Sequence, residues 1–217
     1  MTLGHTLFQH SPYEKDFYLG LELGYSEYHH EGHYFFSQLG ARSYLSKRFD
    51  AWHDTRIYGR LLHYFGGYPY HTLAANLVGM AQWNCRPVDR MVVGGNNGLR
   101  GYPAYELVGN RGILLNLENR LFSGKQFFTV ALGGVVFLDY AYMWDACHEP
   151  WRANVGIGLR LGLMKSHRFR ILRLDCALPV KGGPGYMISL GSGQTFSMGK
   201  RFHWFQDPNA LSWNMID

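Results

Sequence analysis

Val155 to Leu163 reads VGIGLRLGL. Val155, Ile157, Leu159, Leu161 and Leu163 share one side of an extended chain, and Gly156, Gly158, Arg160 and Gly162 share the other. Successive side chains of a strand point to opposite faces, so this period-two pattern predicts a strand with one apolar face and one small or charged face. The neighbouring stretches repeat it. Arg170 to Leu178 sets Leu172, Leu174, Cys176 and Leu178 against Ile171, Arg173, Asp175 and Ala177. Ile113 to Phe122 sets Ile113, Leu115, Leu117 and Leu121 against Asn116, Glu118 and Arg120. Phe127 to Trp144 carries Phe128, Val130, Leu132, Val136, Leu138, Tyr140, Tyr142 and Trp144 on one face, with Thr129, Ala131, Gly133, Phe137 and Asp139 on the other.

The N-terminal half carries the pattern less cleanly. Phe17 to Tyr28 sets Phe17, Leu19, Leu21, Leu23 and Tyr25 against Gly20, Glu22, Gly24 and Ser26. Phe35 to Leu45, Thr55 to Phe65 and Leu73 to Trp83 place Gln38, Arg42, Arg56, Arg60, Asn76 and Gln82 on their polar faces. With a short opening strand at Leu3 to Gln9 and a last one at Tyr186 to Phe196, ten strands are expected. Tight links at His29 to His33, Gly66 to Tyr70, Ser123 to Gln126 and Lys165 to Arg168 alternate with longer ones at His10 to Asp16, Lys47 to Asp54, Asn84 to Asn110 and Asp145 to Trp151. The link Lys181 to Gly185 is on the long side yet short.

A soluble sandwich buries its apolar faces and wets its polar ones. A membrane barrel reverses this, with the apolar face toward lipid and the polar face toward the lumen. The barrel accounts better for strands near the 9 to 11 residues a tilted membrane strand needs. It also accounts for aromatics near strand ends (Phe127, Phe128, Tyr142, Trp144, Tyr186, Phe196) and for the alternating link lengths. Composition agrees: 27 Gly, 15 Tyr, 14 Phe and 6 Trp coexist with a mean hydropathy of only −0.21. No apolar run of about 18 residues is long enough for a membrane helix. The fold expected is therefore all-β, a transmembrane antiparallel up-and-down β-barrel over residues 1–196 with a tail at 197–217. The formal charge of +5 is scattered, which argues against nucleic acid as a partner. Residues after Met1 lack the basic and apolar regions of a secretory signal.

Between two predicted strands lies Gly94 to Tyr102, GGNNGLRGY, inside the long loop Asn84 to Asn110. Downstream, Glu118, Asp139, Arg160, Arg173 and Asp175 all fall on polar faces. Buried charges need partners. If the Gly-rich loop turns inward, Arg100 can fork onto Asp139 or Glu118, because a guanidinium matches a carboxylate bidentately. The alternative is a solvated loop, with the five wall charges pairing among themselves. Periodicity leaves both open.

GGNNGLRGY resembles the GG…(V/L)RG(Y/F) loop motif of the bacterial surface antigen family, the BamA- and TamA-like superfamily of outer-membrane assembly and translocation barrels. Leu117 to Arg120 is similar to the Glu-containing strand after that loop, and Phe137-Leu138-Asp139 to the family's F-x-D motif. VGIGLRL at Val155 to Leu161 and ILRLDCAL at Ile171 to Leu178 resemble the next two strands. Phe196 stands where the family places the aromatic of its C-terminal strand signal. Order and spacing agree from Gly94 to Phe196, about half of the chain. The resemblance implies a loop motif of Gly94, Gly95, Leu99, Arg100, Gly101 and Tyr102 that enters the barrel and is held at lumen anchors Glu118, Phe137 and Asp139. It implies an outer-membrane location and a role in protein insertion or translocation, with no covalent chemistry, no cofactor and no metal. The implied partners are outer-membrane lipid, client β-barrel or secreted proteins, accessory lipoproteins or a second barrel chain. The family's barrel has sixteen strands; five are expected here after the loop, as in the family, but only five before it. The chain then matches a partial or smaller version.

His29, His30 and His33 lie in one expected turn with no partner site, so a metal is not expected. Cys85 and Cys147 fall in same-side loops, placed for a disulfide in an oxidising compartment or for two free thiols. Cys176 is expected to face lipid as a small apolar residue. No nucleophile elbow, zinc or nucleotide-binding motif is present. Three rivals remain: a passive barrel or anchor for an exported passenger, an outer-membrane enzyme, and a soluble sandwich that needs no detergent.

Overall fold

The computed structural model describes residues 2–6, 17–29, 32–46, 51–85, 90–145, 150–163, 170–183 and 185–194. Within them the protein is all-β. Its strands are β1 (Thr2–Thr6), β2 (Phe17–His29), β3 (His33–Ser46), β4 (Ala51–Tyr68), β5 (His71–Trp83), β6 (Met91–Val93), β7 (Leu107–Gly109), β8 (Arg111–Phe127), β9 (Val130–Met143), β10 (Trp151–Leu163), β11 (Arg170–Pro179) and β12 (Met187–Ser192). Ten form one sheet in the order β1-β2-β3-β4-β5-β8-β9-β10-β11-β12, and β6 pairs only with β7. Each ladder of the large sheet is antiparallel and joins strands adjacent in that order. The architecture is a meander interrupted once, between β5 and β8, by the segment that carries β6 and β7. Five strands precede that segment in the sheet and five follow it. Among the described residues no ladder joins β1 to β12, so the sheet has two edges.

The faces are inverted relative to a water-soluble domain. One face is buried and polar: Asn76, Asn116, Asp139, Asn154 and Asp175 have no solvent exposure, and Arg56, Arg60, Glu118, Arg120 and Arg160 have little. The other is exposed and aliphatic, with Leu21, Leu39, Ile57, Leu61, Leu117, Val136, Ile157 and Leu174 open to their surroundings. Exposed aromatics bracket this aliphatic band. Tyr28, Phe65, Tyr70, Phe122 and Phe128 lie toward the end with the short turns, and Trp52, Trp83, Trp144 and Tyr186 toward the other.

Several strand boundaries differ from the sequence reading, three of them at strand ends near turns. β8 does not turn at Ser123 to Gln126. It continues to Phe127 through a register shift between Phe122 and Gln126, and Gly124 takes a positive φ of 64° there. A bulge absorbs the residues that read as a turn. The chain reverses at Phe128, which has a φ of 54° and is 88 % exposed, so it is a turn residue rather than part of the strand face. β4 likewise runs to Tyr68, with a shift between Phe65 and Tyr68. β12 ends at Ser192; Phe196 and the tail 197–217 lie outside the described residues.

Candidate functional site

The segment between β5 and β8 folds back onto the polar face. β6 and β7 form a three-residue ribbon at its base, and Gly95–Asn97 makes a single 3-10 turn at its tip. Such short strands carry no period in sequence, and the sequence reading did not expect them. Met91, Val93, Leu99, Tyr102 and Leu107 pack onto Val78, Met80, Leu114, Ala141 and Met143 of the wall. This is the largest apolar cluster on the inner face. It supplies the burial that holds the segment down, about 1.5–3 kcal/mol for each fully buried large side chain.

Arg100 is 3 % exposed and sits at the centre. Its Nε and Nη2 donate to the two oxygens of Asp139 at 2.8 and 2.7 Å, a forked pair. Its Nη1 donates to Glu118 at 2.7 Å, and its backbone N–H to Asp139 at 3.2 Å. The guanidinium carbon lies 3.5 Å from the centre of the Phe137 ring, stacked on its face. Phe137 is in turn seated on Gly156, its register partner on β10, where a Cβ would collide with the ring. Burial alone would lower the Arg100 pKa; the Asp139 and then the Glu118 carboxylates more than reverse this and hold it well above the ordinary guanidinium value. Arg100 is a permanent cation here.

Asparagines complete the cradle. Asn116 donates to Asp139 at 2.8 Å and to the carbonyl of Gly98 at 2.5 Å. Asn154 donates to the carbonyl of Arg100. Asn76 donates to Asn116 at 3.1 Å, and Arg60 to Asn76 at 2.9 Å. Arg120 closes the other side, giving its Nε to Glu118 at 2.8 Å. One polar network therefore spans β4, β5, β8, β9 and β10. Its members are nearly all dry, so each donor must meet an acceptor.

Gly101 follows with a φ of 82°, left-handed backbone that glycine adopts without strain. A Cβ on Gly101 would also come within 2.8 Å of Ala177. The Tyr102 hydroxyl then reaches the carbonyls of Ala153 at 2.7 Å and Lys181 at 2.8 Å, and burial pushes its pKa up. Glu106 accepts from Arg152 at 2.6 Å. Gly94 and Gly95 approach the backbone of Pro103 and Tyr102, which leaves no room for side chains.

The structure thus brings Arg100 together with Glu118, Phe137 and Asp139, the residues named from sequence. It adds Asn76, Asn116 and Asn154, whose part needs cross-strand register to be seen. Asn154 also lies inside β10, which begins at Trp151 rather than at Val155. Arg160 and Arg173 do not join the Arg100 cradle; both face Asp175, at 2.5 and 3.9 Å. Cys85 accepts from Gln82 at 3.3 Å and donates to Asn110 at 3.2 Å, and burial, then Asp54, push its thiol up. Cys147 lies outside the described residues. Cys176 lies on the outer face, opposite Ile157 and Ile188. His29 lies 3.2 Å from Glu27 and opposite His33, and His30 lies outside the described residues.

No protein-family model matches the chain, and no curated protein matches it.

Proposed function

We propose that this protein is a transmembrane β-barrel of the outer membrane, a partial or smaller version of the surface-antigen-type assembly and translocation barrels, acting in insertion or translocation of client proteins. The observation that carries the reading is the internal lock: an Arg-Gly-Tyr loop pinned to an F-x-D strand and a neighbouring Glu, on the buried polar face of a sheet whose other face is aliphatic. A water-filled pore would leave that face open; here the folded-in segment fills its middle. The exposed aliphatic band between two aromatic belts suits lipid rather than water. The carboxylates support positioning rather than acid–base chemistry, since each is saturated by arginine or amide donors. In this reading the edges of the sheet meet at a seam, where unpaired backbone groups can template a client strand.

The test is reconstitution. The full chain is refolded into liposomes, and an unfolded client β-barrel protein is added. Faster client insertion than in empty liposomes, abolished by Arg100→Asp and restored by Arg100→Asp with Asp139→Arg, is the expected result. Efficient incorporation of the chain with no effect on the client would instead favour a passive barrel or membrane anchor. A chain that stays soluble and folded without detergent would sink both.

A further inference from the structure

Arg160 repeats half of the arrangement around Arg100. In Arg100 the Nε and Nη2 edge of the guanidinium forks onto Asp139. In Arg160 that edge is dry. The residue is only 7 % exposed, and neither its Nε nor its Nη2 meets a hydrogen-bond partner among the described residues. Its Nη1 is engaged, donating to Asp175 at 2.5 Å and to the carbonyl of Leu159 at 3.0 Å. Buried donors without acceptors are rare and costly, and charged ones more so.

Register sharpens the problem. Arg160 lies directly opposite Arg173 on β11, and like charges so placed repel. Arg173 stands 3.9 Å from Asp175 and has further contacts of its own, so its part is that of a neighbouring charge, not of a ligand. On β8 and β9, Glu118 and Asp139 already serve Arg100 and Arg120. The wall around Arg160 is bare. Within β10 the polar face reads Gly156, Gly158, Arg160, Gly162, and Gly133 stands opposite Arg160 on β9. A Cβ on Gly158 would collide with the Arg160 guanidinium and with Asp175, so the guanidinium lies over that glycine. None of these positions carries a side chain that could accept from it.

We infer that the Nε and Nη2 edge of Arg160 is a binding site for an oxyanion that presents two oxygens side by side, the chemistry that carboxylate and phosphate groups share. The fork is pre-aimed, because Asp175 and the Leu159 carbonyl hold Nη1. A bound oxyanion satisfies two dry donors at once and offsets the repulsion between Arg160 and Arg173 across the β10–β11 ladder. Arg173 keeps 21 % of its side chain exposed, so solvent reaches the ladder beside the site. The site depends on register and on burial of the polar face, and it stands whether or not the outer face meets lipid.

The full chain, folded in detergent micelles or in buffer if it needs none, is titrated with sodium phosphate, acetate and chloride at constant ionic strength. Binding is read by calorimetry and from the Nε–H signal of Arg160 in isotope-labelled protein, identified by its loss in Arg160→Lys. One saturable site, a shift of that signal, and chloride weaker by about tenfold are expected, because a single atom cannot span the fork. Tighter phosphate assigns the site to phosphate groups, tighter acetate to carboxylates. Arg160→Lys keeps the charge and loses the fork, and should weaken oxyanion binding about tenfold. Arg111→Gln, on the outer face, should change nothing. Saturating oxyanion should raise the urea midpoint of the wild type and barely move that of Arg160→Lys. Equal affinity for chloride, an unshifted Nε–H signal, or full affinity in Arg160→Lys would mean an adventitious ion only and overturns the site. Absence of saturable binding at millimolar oxyanion overturns it as well.

Discussion

Arg100 illustrates how one side chain can hold a segment of chain without chemistry. Its guanidinium satisfies two carboxylates, and its stacking on Phe137 covers the one direction that hydrogen bonds leave open. Removing it would strand Asp139 and Glu118 as buried charges with fewer donors. Arg100→Ala is therefore expected to destabilise the protein by about 3–5 kcal/mol, read by urea unfolding in detergent micelles. Arg100→Lys should recover only part of this, because an ammonium cannot fork. A loss below about 1 kcal/mol would mean the lock is a weak, solvated pair. Arg100, Glu118 and Asp139 stood out in sequence as charges against alternating leucines, but periodicity left a solvated loop equally open, and only the family resemblance set Arg100 on these anchors and added Phe137. Glu118 and Asp139 fall on faces where a lone carboxylate demands a cation, and Arg100 lies in a loop whose glycines permit close approach. The asparagines were not legible as anchors. Asn76 and Asn116 read as ordinary polar-face residues and Asn154 fell before its expected strand, until register brings Asn76 to Asn116 and sets Asn116 and Asn154 against the loop backbone.

Among the elements, the segment between β5 and β8 carries the most consequence. Two of its fastenings are separable. Arg100 ties it to β8 and β9, while Tyr102 ties it to β10 and to the connection after β11 through a single hydroxyl shared by two carbonyls. Tyr102→Phe removes only the second tie and keeps the ring. It is expected to cost about 0.5–1.5 kcal/mol. Hydrogen exchange should rise in the connection from Val180 to Tyr186 and in β12, while β8 and β9 stay protected. Equal exchange in variant and wild type would show that the hydroxyl does not position that hairpin. Element boundaries were the least readable part of the sequence. Ser123-Gly124-Lys125-Gln126 has the composition of a turn, yet the ladder survives it as a bulge and reverses at Phe128 instead. Local turn propensity lost there to cross-strand pairing, which resumes at Gln126 opposite Ala131. β6 and β7 are too short for any period to register.

For the molecule as a whole, the faces are inverted, aliphatic on the exposed side and polar on the buried one. Leu117 stands on the outer face midway along β8, between Ala75 and Leu138 on the neighbouring strands. Leu117→Arg would put a cation in the aliphatic band and is expected to cost about 2–4 kcal/mol when the protein is folded into vesicles, read from urea titration of refolding. The same change in a water-facing wall would be close to neutral. The all-β antiparallel meander was readable because alternation is written in the period itself: strands whose leucines point one way and whose arginines and aspartates point the other. What the period does not specify is closure. Alternation defines faces within a strand but is silent on which strand meets which edge, and the described residues leave β1 and β12 as edges.

The two fastenings also have a bearing on time. Arg100 finds Glu118 eighteen residues later, Asp139 thirty-nine later, and Tyr102 finds Ala153 and Lys181 fifty-one and seventy-nine later. Contacts so distant along the chain form slowly, since the intervening loops must close first. During synthesis Arg100 and Tyr102 are made before the groups that fasten them, although Val78 and Met80 of the wall precede them. The loop must wait, undocked, until β8, β9, β10 and the turn after β11 have been laid down in register. Its docking then marks the point at which the wall is built as far as the turn after β11, so a wall that stops short of that turn cannot carry the fully docked loop.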